Sequence, residues 1–151
     1  MRLSQELFSS IIEHTPLISI DLVVENSQGE VVLGKRINEP AKGYWFVPGG
    51  RVFKDETLDA AFERIAKEEL GLNAKRSDAE FIGVYEHFYT NNVFNDDFST
   101  HYIVLGHKII SDEKLLLNNQ HEAYRLFSQK ELLESDNVHK YTKNYFSING
   151  N

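Results

Sequence analysis

Two adjacent glutamates, Glu68 and Glu69, occupy positions where the sequence otherwise predicts a buried helix face. The segment 57–70 carries apolar residues at helical spacing, and Gly71 follows it as a typical helix-ending glycine. At about 100° per residue, Glu69 falls on the apolar stripe and Glu68 on its flank. Carboxylates in the last turn oppose the helix dipole, and a buried one needs a cation or hydrogen-bond donors. Because hard oxygen ligands suit Mg²⁺ or Mn²⁺, the pair indicates a divalent-cation site.

A purely structural role for the two glutamates is the alternative. In that case Glu69 reaches solvent along its own methylene groups, and Glu68 forms an ion pair with Arg64, one turn earlier. The segment Pro48-Gly49-Gly50 favours the metal site, because glycines in a tight turn let backbone atoms approach a ligand closely. An acidic helix that follows a glycine turn therefore predicts a platform for phosphate and metal.

The elements that must position these residues follow no regular alternation of strand and helix. Hydrophobic periodicity and turn residues predict helices over 4–13, 57–70, 128–133 and 138–146, and strands over 17–25, 30–36, 44–47, 81–89, 100–110 and 123–127. The polar segment 90–99 is a loop of the kind that covers a site. Since the sequence contains no repeat, linker or low-complexity tract, we predict a single α+β domain over residues 1–151.

Composition and charge restrict the partners. The 151 residues include 16 Lys and Arg against 23 Asp and Glu, for a net charge of −7. A negative surface repels nucleic acids and anionic lipids, so we expect neither as a partner. The absence of cysteine excludes disulfides, thiolate catalysis and thiolate metal sites. The N-terminus does not resemble a signal peptide, and no apolar stretch approaches the ~20 residues of a membrane span, so we expect a cytoplasmic protein.

The residues around the acidic helix resemble the Nudix box. The matching positions, with the spacing of that motif, are Gly50, Glu56, Arg64, Glu68, Glu69, Gly71 and Leu72. The resemblance implies an α+β fold, in which a mixed β-sheet sandwich is flanked by helices. It also implies that the glutamate helix binds Mg²⁺, with Mn²⁺ as the alternative, and that the metal holds a nucleoside diphosphate linked to a second moiety.

One position of the box departs from the family pattern. Ile65 directly follows Arg64, where the family has a glutamate that helps to bind metal or activate water. Its loss leaves two interpretations, a degenerate binding module or an enzyme whose general base lies elsewhere. Similarity along nearly the whole chain to one Nudix branch, the GDP-mannose mannosyl hydrolases, favours the enzyme. The segments that carry this similarity are 33–36, 43–52, 86–89, 100–102 and 120–121.

That branch attacks the sugar C1 instead of phosphorus and releases GDP and the free sugar with inversion. The resemblance implies that Gly49, through its carbonyl, Glu69 and Gln120 hold the metal. It assigns to His121 the role of general base on the attacking water, and an imidazole suits that role at neutral pH. From the residues alone, Gln120 and His121 are equally compatible with a solvated loop.

The resemblance also implies a set of substrate contacts. Arg36 and Arg51 bind the diphosphate, and Arg36 further stabilises the anionic GDP as it leaves. The other implied contacts are Leu3, Phe8, Asp21, His87 and Tyr102. Phe8 matches an aromatic residue that a partner subunit stacks on guanine, which implies a homodimer with shared sites. Without the family, Phe8 fits a helix core, and His87 and Tyr102 fit cross-strand packing.

Three functions thus follow from the sequence. The first is Mg²⁺-dependent hydrolysis of GDP-mannose, and also of GDP-glucose, at the sugar carbon. The second is conventional attack at phosphorus, which yields GMP and a sugar 1-phosphate; Ile65 argues against it and the intact Glu68 keeps it open. The third is a non-catalytic module that binds a nucleotide sugar.

Overall fold

The computed structural model of the chain describes residues 2–113 and 124–146. The helices are α1 (Gln5–His14), α2 (Leu58–Leu70), α3 (Gln129–Glu134) and α4 (Lys140–Lys143), with a single 3-10 turn at Arg76–Asp78. The strands are β1 (Leu17–Glu25), β2 (Val31–Lys35), β3 (Trp45–Phe46), β4 (Gly49–Arg51), β5 (Glu80–Tyr89), β6 (Thr100–Ile110) and β7 (Tyr124–Phe127). No helix within the described ranges is both long enough and apolar enough to cross a membrane.

Strand β1 organises a mixed seven-stranded sheet. The strand order is β3-β2-β1-β6-β5, while β4 pairs with β1 and β7 pairs with β2. Strands β1 and β6 run parallel along their whole length, from Leu17 opposite Tyr102 to Glu25 opposite Ile110, and the other pairs are antiparallel. Together with the flanking helices, this arrangement confirms the predicted α+β Nudix fold.

Both faces of β1 are covered. On one face Ile20, Leu22 and Val24 pack against α2, whose Phe62 and Ile65 lie in the same core. On the other face Val23 belongs to a second core that is completed by residues of β7, α3 and the segment before α4. Because side chains alternate along a strand, Ser19 and Asp21 share this second face with Val23 and lie away from α2.

Helix α2 follows the sequence prediction closely. Thr57 caps its N-terminus, since the Thr57 hydroxyl oxygen accepts a hydrogen bond from the Ala60 amide at 3.1 Å. Gly71 ends it in the left-handed conformation with φ of 63°. The buried side chains are Ala61, Phe62, Ile65, Ala66 and Leu70.

Two sequence-based expectations are wrong. The predicted turn at Pro48-Gly49-Gly50 is instead the start of β4, whose residues pair with β1: Gly49 with Asp21 and Gly50 with Ile20. The predicted helix over 138–146 is reduced to α4, because the preceding residues form backbone bonds with β3; Asn137 accepts from the Trp45 amide at 2.8 Å. Neither pairing has a local signature, since both partners are distant in sequence.

Candidate active site

Two adjoining cavities form one cleft beside β4. The first, about 180 Å³, is lined by Ser19, Asp21, Arg36, Pro40, Phe46, Val47, Gly49, Gly50, Arg51, His87, Tyr89 and Tyr102. The second, about 240 Å³, is lined by Gly34, Lys35, Arg36, Ile37, Asn38, Phe46, Val47, Pro48, Gly49, Glu69 and Tyr124. The cleft thus unites residues from β1, β2, β3, β4, β5, β6, β7 and α2.

Most of the sequence-predicted site residues converge on this cleft. Those that line it are Asp21, Arg36, Gly49, Arg51, Glu69, His87 and Tyr102. Gln120 and His121 lie outside the described residues. Leu3 and Phe8 line neither cavity. Phe8 nevertheless lies close to the cleft, because the Arg51 guanidinium of the same chain is 4.8 Å from its ring centre.

Asp21 is enclosed at the base of the first cavity. Tyr145 donates a hydrogen bond from its hydroxyl to Asp21 Oδ2 at 2.6 Å. Burial raises the pKa of Asp21 to about 7, although the Tyr145 hydrogen bond and the positive charge of Arg36 oppose the shift. At neutral pH this carboxyl group is therefore poised between its charged and neutral forms.

The close approach of β4 to β1 requires glycine at position 49. A Cβ on Gly49 would collide with Asp21 Oδ1 and would lie 2.7 Å from the Ile20 carbonyl oxygen. On the other side of β4, a Cβ on Gly50 would lie 3.0 Å from Ile65 Cγ1. The two glycines therefore let the backbone lie in a narrow space between Asp21 and Ile65.

Ile65 is part of the hydrophobic core. Its side chain is only 1% exposed and lies in the cluster that also contains Ile20 and Phe62. The box position that carries a glutamate in the family pattern is thus filled by a hydrocarbon side chain with no acid–base capacity. Ile65 itself therefore cannot bind metal or activate water, the roles that the family pattern gives to this position.

Arg64 organises the loop between β4 and α2. Its guanidinium donates to both carboxylate oxygens of Glu56, at 2.7 and 3.0 Å, and to the Arg51 carbonyl at 2.8 Å. A further bond of 3.2 Å reaches Glu68, which confirms the ion pair that the spacing predicted. The hydrogen bonds from Arg64 hold the pKa of Glu56 below its usual range, so the bidentate pair remains charged.

Glu69 lies at the second cavity with Gly49. Tyr124 donates a hydrogen bond from its hydroxyl to Glu69 Oε2 at 3.0 Å. Burial, the Glu69 charge and this hydrogen bond all raise the pKa of Tyr124, so the phenol stays protonated and acts as a donor. Glu69 and Gly49, both expected metal ligands, thus line the same cavity, whereas Glu68 forms an ion pair with Arg64.

The donors fit a hard divalent cation. A carboxylate and a backbone carbonyl supply oxygen ligands, which Mg²⁺ and Mn²⁺ prefer. Within residues 2–113 and 124–146 there is no group of three or more His, Asp or Glu side chains that could hold a metal ion by itself. A metal at this position would therefore be completed by the substrate, by water or by residues outside the described part of the chain.

Two arginines bring positive charge to a protein whose net charge is −7. Arg36 donates from Nε to the Pro40 carbonyl at 2.7 Å, and its guanidinium lies 5.6 Å from the Phe46 ring centre. Arg51 lies between Phe8 and Phe53, with a distance of 5.0 Å to the Phe53 ring centre. These contacts orient the two cations in the first cavity, where an anionic ligand would meet them.

His87 is held by aromatic stacking. Its ring lies parallel to that of Tyr141, with centres 4.3 Å apart. Burial lowers the pKa of His87 to about 4, and His139 contributes further. His87 is therefore neutral at physiological pH, and it can donate or accept a hydrogen bond without carrying charge.

Sequence reasoning missed several aromatic residues around the cleft. Tyr89 lines the first cavity, and His139 stacks on Phe46 with ring centres 4.6 Å apart. Tyr141 and Tyr145 contact His87 and Asp21 as described above. Their helical spacing of four residues was the available signal, but a pattern alone does not reveal which strand such a face covers.

The comparison with family models gives the decisive observation, because the NUDIX domain model matches residues 15–146. This chain belongs to the Nudix hydrolase family. Its members generally use divalent metals such as Mg²⁺. The domain match spans the cleft, the box and the last helix of this Nudix protein.

Curated relatives agree with this assignment. The chain is 37% identical over 145 residues to the low-salt glycan biosynthesis protein Agl8 of Haloferax volcanii, covering 95% of this chain and 88% of Agl8. It is 39% identical over 70 residues to an ADP-ribose pyrophosphatase of Methanocaldococcus jannaschii, covering 46% of this chain and 40% of that protein.

Solved structures support the Nudix fold. The MutT protein from Methanosarcina mazei Go1 superimposes with a TM-score of 0.72 at 23% identity, covering 88% of this chain and 92% of that one. The NUDIX domain of Shewanella oneidensis NrtR, solved with ADP ribose, has a TM-score of 0.62 at 16% identity and covers 90% of both chains.

The low pKa of His87 predicts a pH-dependent contribution to stability. In the unfolded chain this imidazole takes up a proton below pH 6.5, whereas the folded protein resists protonation until about pH 4. The stability that depends on neutral His87 is therefore present above pH 6.5 and is lost as the pH falls toward 4. Between pH 7 and pH 5, we expect wild type to lose about 2 kcal/mol more than His87→Phe, as measured by urea unfolding. Parallel pH profiles for the two proteins would contradict this.

Proposed function

We propose that this Nudix protein hydrolyses GDP-mannose, and also GDP-glucose, to GDP and the free hexose in a Mg²⁺-dependent reaction. Water attacks C1 of the sugar, and the product forms with inversion. The observation that carries the proposal is the burial of Ile65, which is 1% exposed, at the box position of the usual glutamate. The box thus lacks the glutamate that the family pattern has at this position. The cleft nevertheless contains cationic and polar side chains that can bind an anionic, polar substrate.

The environment of Glu68 also supports a reaction that uses no box glutamate as a base. Glu68 bonds to Arg64 at 3.2 Å, and its side chain is 60% exposed. Glu68 therefore contributes to the ion-pair network around Arg64, and Glu69 is the acid that lines the cleft. In the proposed reaction no box carboxylate is required as a base.

The cleft can bind and stabilise a diphosphate leaving group. Attack by water forms the bond between oxygen and C1, and the bond between C1 and the β-phosphate oxygen breaks with its electron pair retained by GDP. Arg36 and Arg51 line the same cavity and can donate to phosphate oxygens as negative charge develops. Such preorganised cations lower the barrier because they need not reorganise during the reaction.

In the proposed site, oxygen ligands for Mg²⁺ would come from the Gly49 carbonyl, Glu69 and Gln120. When bound, the metal supplies positive charge that offsets the phosphate oxygens. The Tyr124 hydroxyl orients the Glu69 carboxylate through its 3.0 Å hydrogen bond. Gln120 comes from the family resemblance and lies outside the described residues.

Proton transfer and sugar recognition are assigned to other side chains. His121, also outside the described residues, accepts the proton of the attacking water. Asp21, His87 and Tyr102 line the first cavity and present hydrogen-bonding groups to the hexose. Leu3 and Phe8 are assigned to guanine recognition across a homodimer, in which the N-terminal residues of one subunit complete the site of the other.

The relative Agl8 supports the sugar-nucleotide class. Its name refers to glycan biosynthesis, and the alignment covers 95% of this chain at 37% identity. Glycan assembly consumes activated sugars, so a nucleotide sugar fits as the substrate of a similar protein. The cationic cleft agrees with the diphosphate of such a compound.

Hydrolysis in ¹⁸O-labelled water tests the position of attack. GDP-mannose is incubated with the protein and Mg²⁺, and the products are followed by proton and phosphorus NMR and by mass spectrometry. We expect GDP without label, and mannose that carries ¹⁸O and forms first as the β-anomer. GMP and mannose 1-phosphate with label on phosphate would instead establish attack at phosphorus. No turnover at all would favour a binding module.

Loss of the Glu69 carboxylate should weaken metal binding. We expect Glu69→Gln to reduce Mn²⁺ affinity at least about tenfold, because an amide replaces a charged oxygen ligand. Electron paramagnetic resonance of free Mn²⁺ measures this without any turnover. Glu63→Gln is the matched control on the exposed surface of α2 and should leave the affinity unchanged. Equal affinities for both variants would remove Glu69 from the metal site.

Loss of the Arg36 charge should slow the chemical step. We expect Arg36→Gln to lower kcat for GDP-mannose about 10²-fold, because the leaving diphosphate loses a charged donor. Arg76→Gln is the control, since Arg76 pairs with Asp59 at 2.9 Å and does not line the cleft. Steady-state rates of GDP release measure both. An unchanged kcat in Arg36→Gln would exclude Arg36 from leaving-group stabilisation.

A further inference from the structure

The C-terminal segment 137–146 is docked along the cleft by backbone bonds. Trp45 in β3 donates its amide hydrogen to the Asn137 carbonyl at 2.8 Å, and the Trp45 carbonyl accepts from the His139 amide at 3.1 Å. The Val47 amide donates to the Thr142 hydroxyl oxygen at 3.3 Å, and Thr142 is fully buried. The segment is therefore a fixed part of the fold and can hold side chains of the cleft in place.

The side chain of Tyr145 extends from this segment to Asp21 and packs closely against its neighbours. Its ring packs edge-on against Tyr85 with centres 4.6 Å apart, and its hydroxyl donates to Asp21 Oδ2 at 2.6 Å. Gly106, which pairs with Asp21 across β1 and β6, leaves room for the ring. A Cβ there would lie 3.3 Å from Tyr145 Cε1 and 3.0 Å from Tyr85 Cε1.

We propose that Tyr145 is a positioning residue that fixes the orientation of the Asp21 carboxylate for binding the sugar. A carboxylate on a strand can rotate about its terminal bond, and a short hydrogen bond from a packed phenol removes this freedom. With Oδ2 engaged by Tyr145, Oδ1 lies next to Gly49 at the cavity. This inference rests on the proposed function, which assigns Asp21 to the hexose.

A second tyrosine of the same segment acts in the same manner on another strand. Tyr141 lies in α4, and Tyr145 lies in the turn that follows this helix. The Tyr141 ring stacks on His87, and its hydroxyl exchanges hydrogen bonds of 3.0 Å with the amide and the carbonyl of Phe88. One docked segment thus orients cleft residues on both β1 and β5.

Tyr145→Phe tests the proposal, because it keeps the ring and removes only the hydroxyl. We expect kcat/KM for GDP-mannose to fall about tenfold, the loss of one hydrogen bond to a charged group. The affinity for GDP, which lacks the hexose, should stay unchanged when measured by calorimetry. Tyr85→Phe is the matched control, since it removes a hydroxyl from the neighbouring ring that bonds to the Ile82 carbonyl and not to Asp21. We expect that control to retain wild-type kcat/KM.

A double-variant cycle separates positioning of Asp21 from a general structural effect. In an Asp21→Ala background, Tyr145→Phe should cause no further loss of kcat/KM, because its target is already absent. A repeated tenfold loss in that background, or an equal loss of GDP affinity, would overturn the proposal. Thermal unfolding identifies which variants are folded. If Tyr145→Phe does not fold, Tyr145→Met replaces it in the double-variant cycle with Asp21→Ala.

The same cycle distinguishes the two proposals. If the labelled-water products are GMP and a sugar 1-phosphate, the proposed function fails, and the cycle is then measured on that reaction. Non-additive losses there would still support positioning by Tyr145. If the products are GDP and hexose but the losses are additive, positioning fails and the proposed function stands.

Discussion

The contact of β4 with β1 is the constraint on which the cleft depends. Gly49 and Gly50 lie between the Asp21 carboxylate and the Ile65 side chain, and the geometry leaves no room for a Cβ at position 49. This approach places the β4 backbone beside the buried acid on one side and above the α2 core on the other. Glu69, in the last turn of α2, lines the same cleft, so the close packing of the two glycines sets how near the β4 backbone lies to this carboxylate.

Charge is distributed unevenly in this protein. The net charge is −7, but the first cavity contains two arginines and a neutral histidine. Arg64 is engaged with Glu56, Glu68 and the Arg51 carbonyl, so its charge is used within the fold and Arg36 and Arg51 remain for a ligand. Burial suppresses the charge on His87, which avoids repulsion with these arginines. The two arginines therefore bring positive charge to the first cavity although the net charge of the protein is negative.

The cleft is assembled from distant parts of the chain. Strand β1 supplies Asp21, and the C-terminal segment supplies the tyrosine that bonds to it, 124 residues later. Strand β5 supplies His87, and the same segment supplies its stacking partner. The two sides of the cleft, with Asp21 and His87 on one and Glu69 on the other, are therefore joined through the core around β1. The cleft therefore contains oriented polar groups although a hydrocarbon side chain occupies position 65 of the box.

The sequence by itself determined the local elements and the family. Strands β1 and β6 begin and end where their patterns predict, and the capping of α2 by Thr57 and Gly71 follows from residue type. Helical spacing offered the Arg64–Glu68 ion pair as the structural alternative, and that pair is present. The buried stripe and the family resemblance predicted Glu69 for the site, and Glu69 lines the cleft. These features depend on neighbours within a few residues, which is why a pattern can report them.

Only the tertiary structure decided how these elements meet. The glycine segment predicted as a turn became β4, because its backbone groups pair with β1 rather than with each other. The spacing of Tyr141 and Tyr145 could not reveal their partners, since His87 and Asp21 lie on strands remote in sequence. The raised pKa of Asp21 and the lowered pKa of His87 likewise arise from burial, which is a property of the packed chain. Residue type provided the chemical groups, and long-range packing set their orientation and charge.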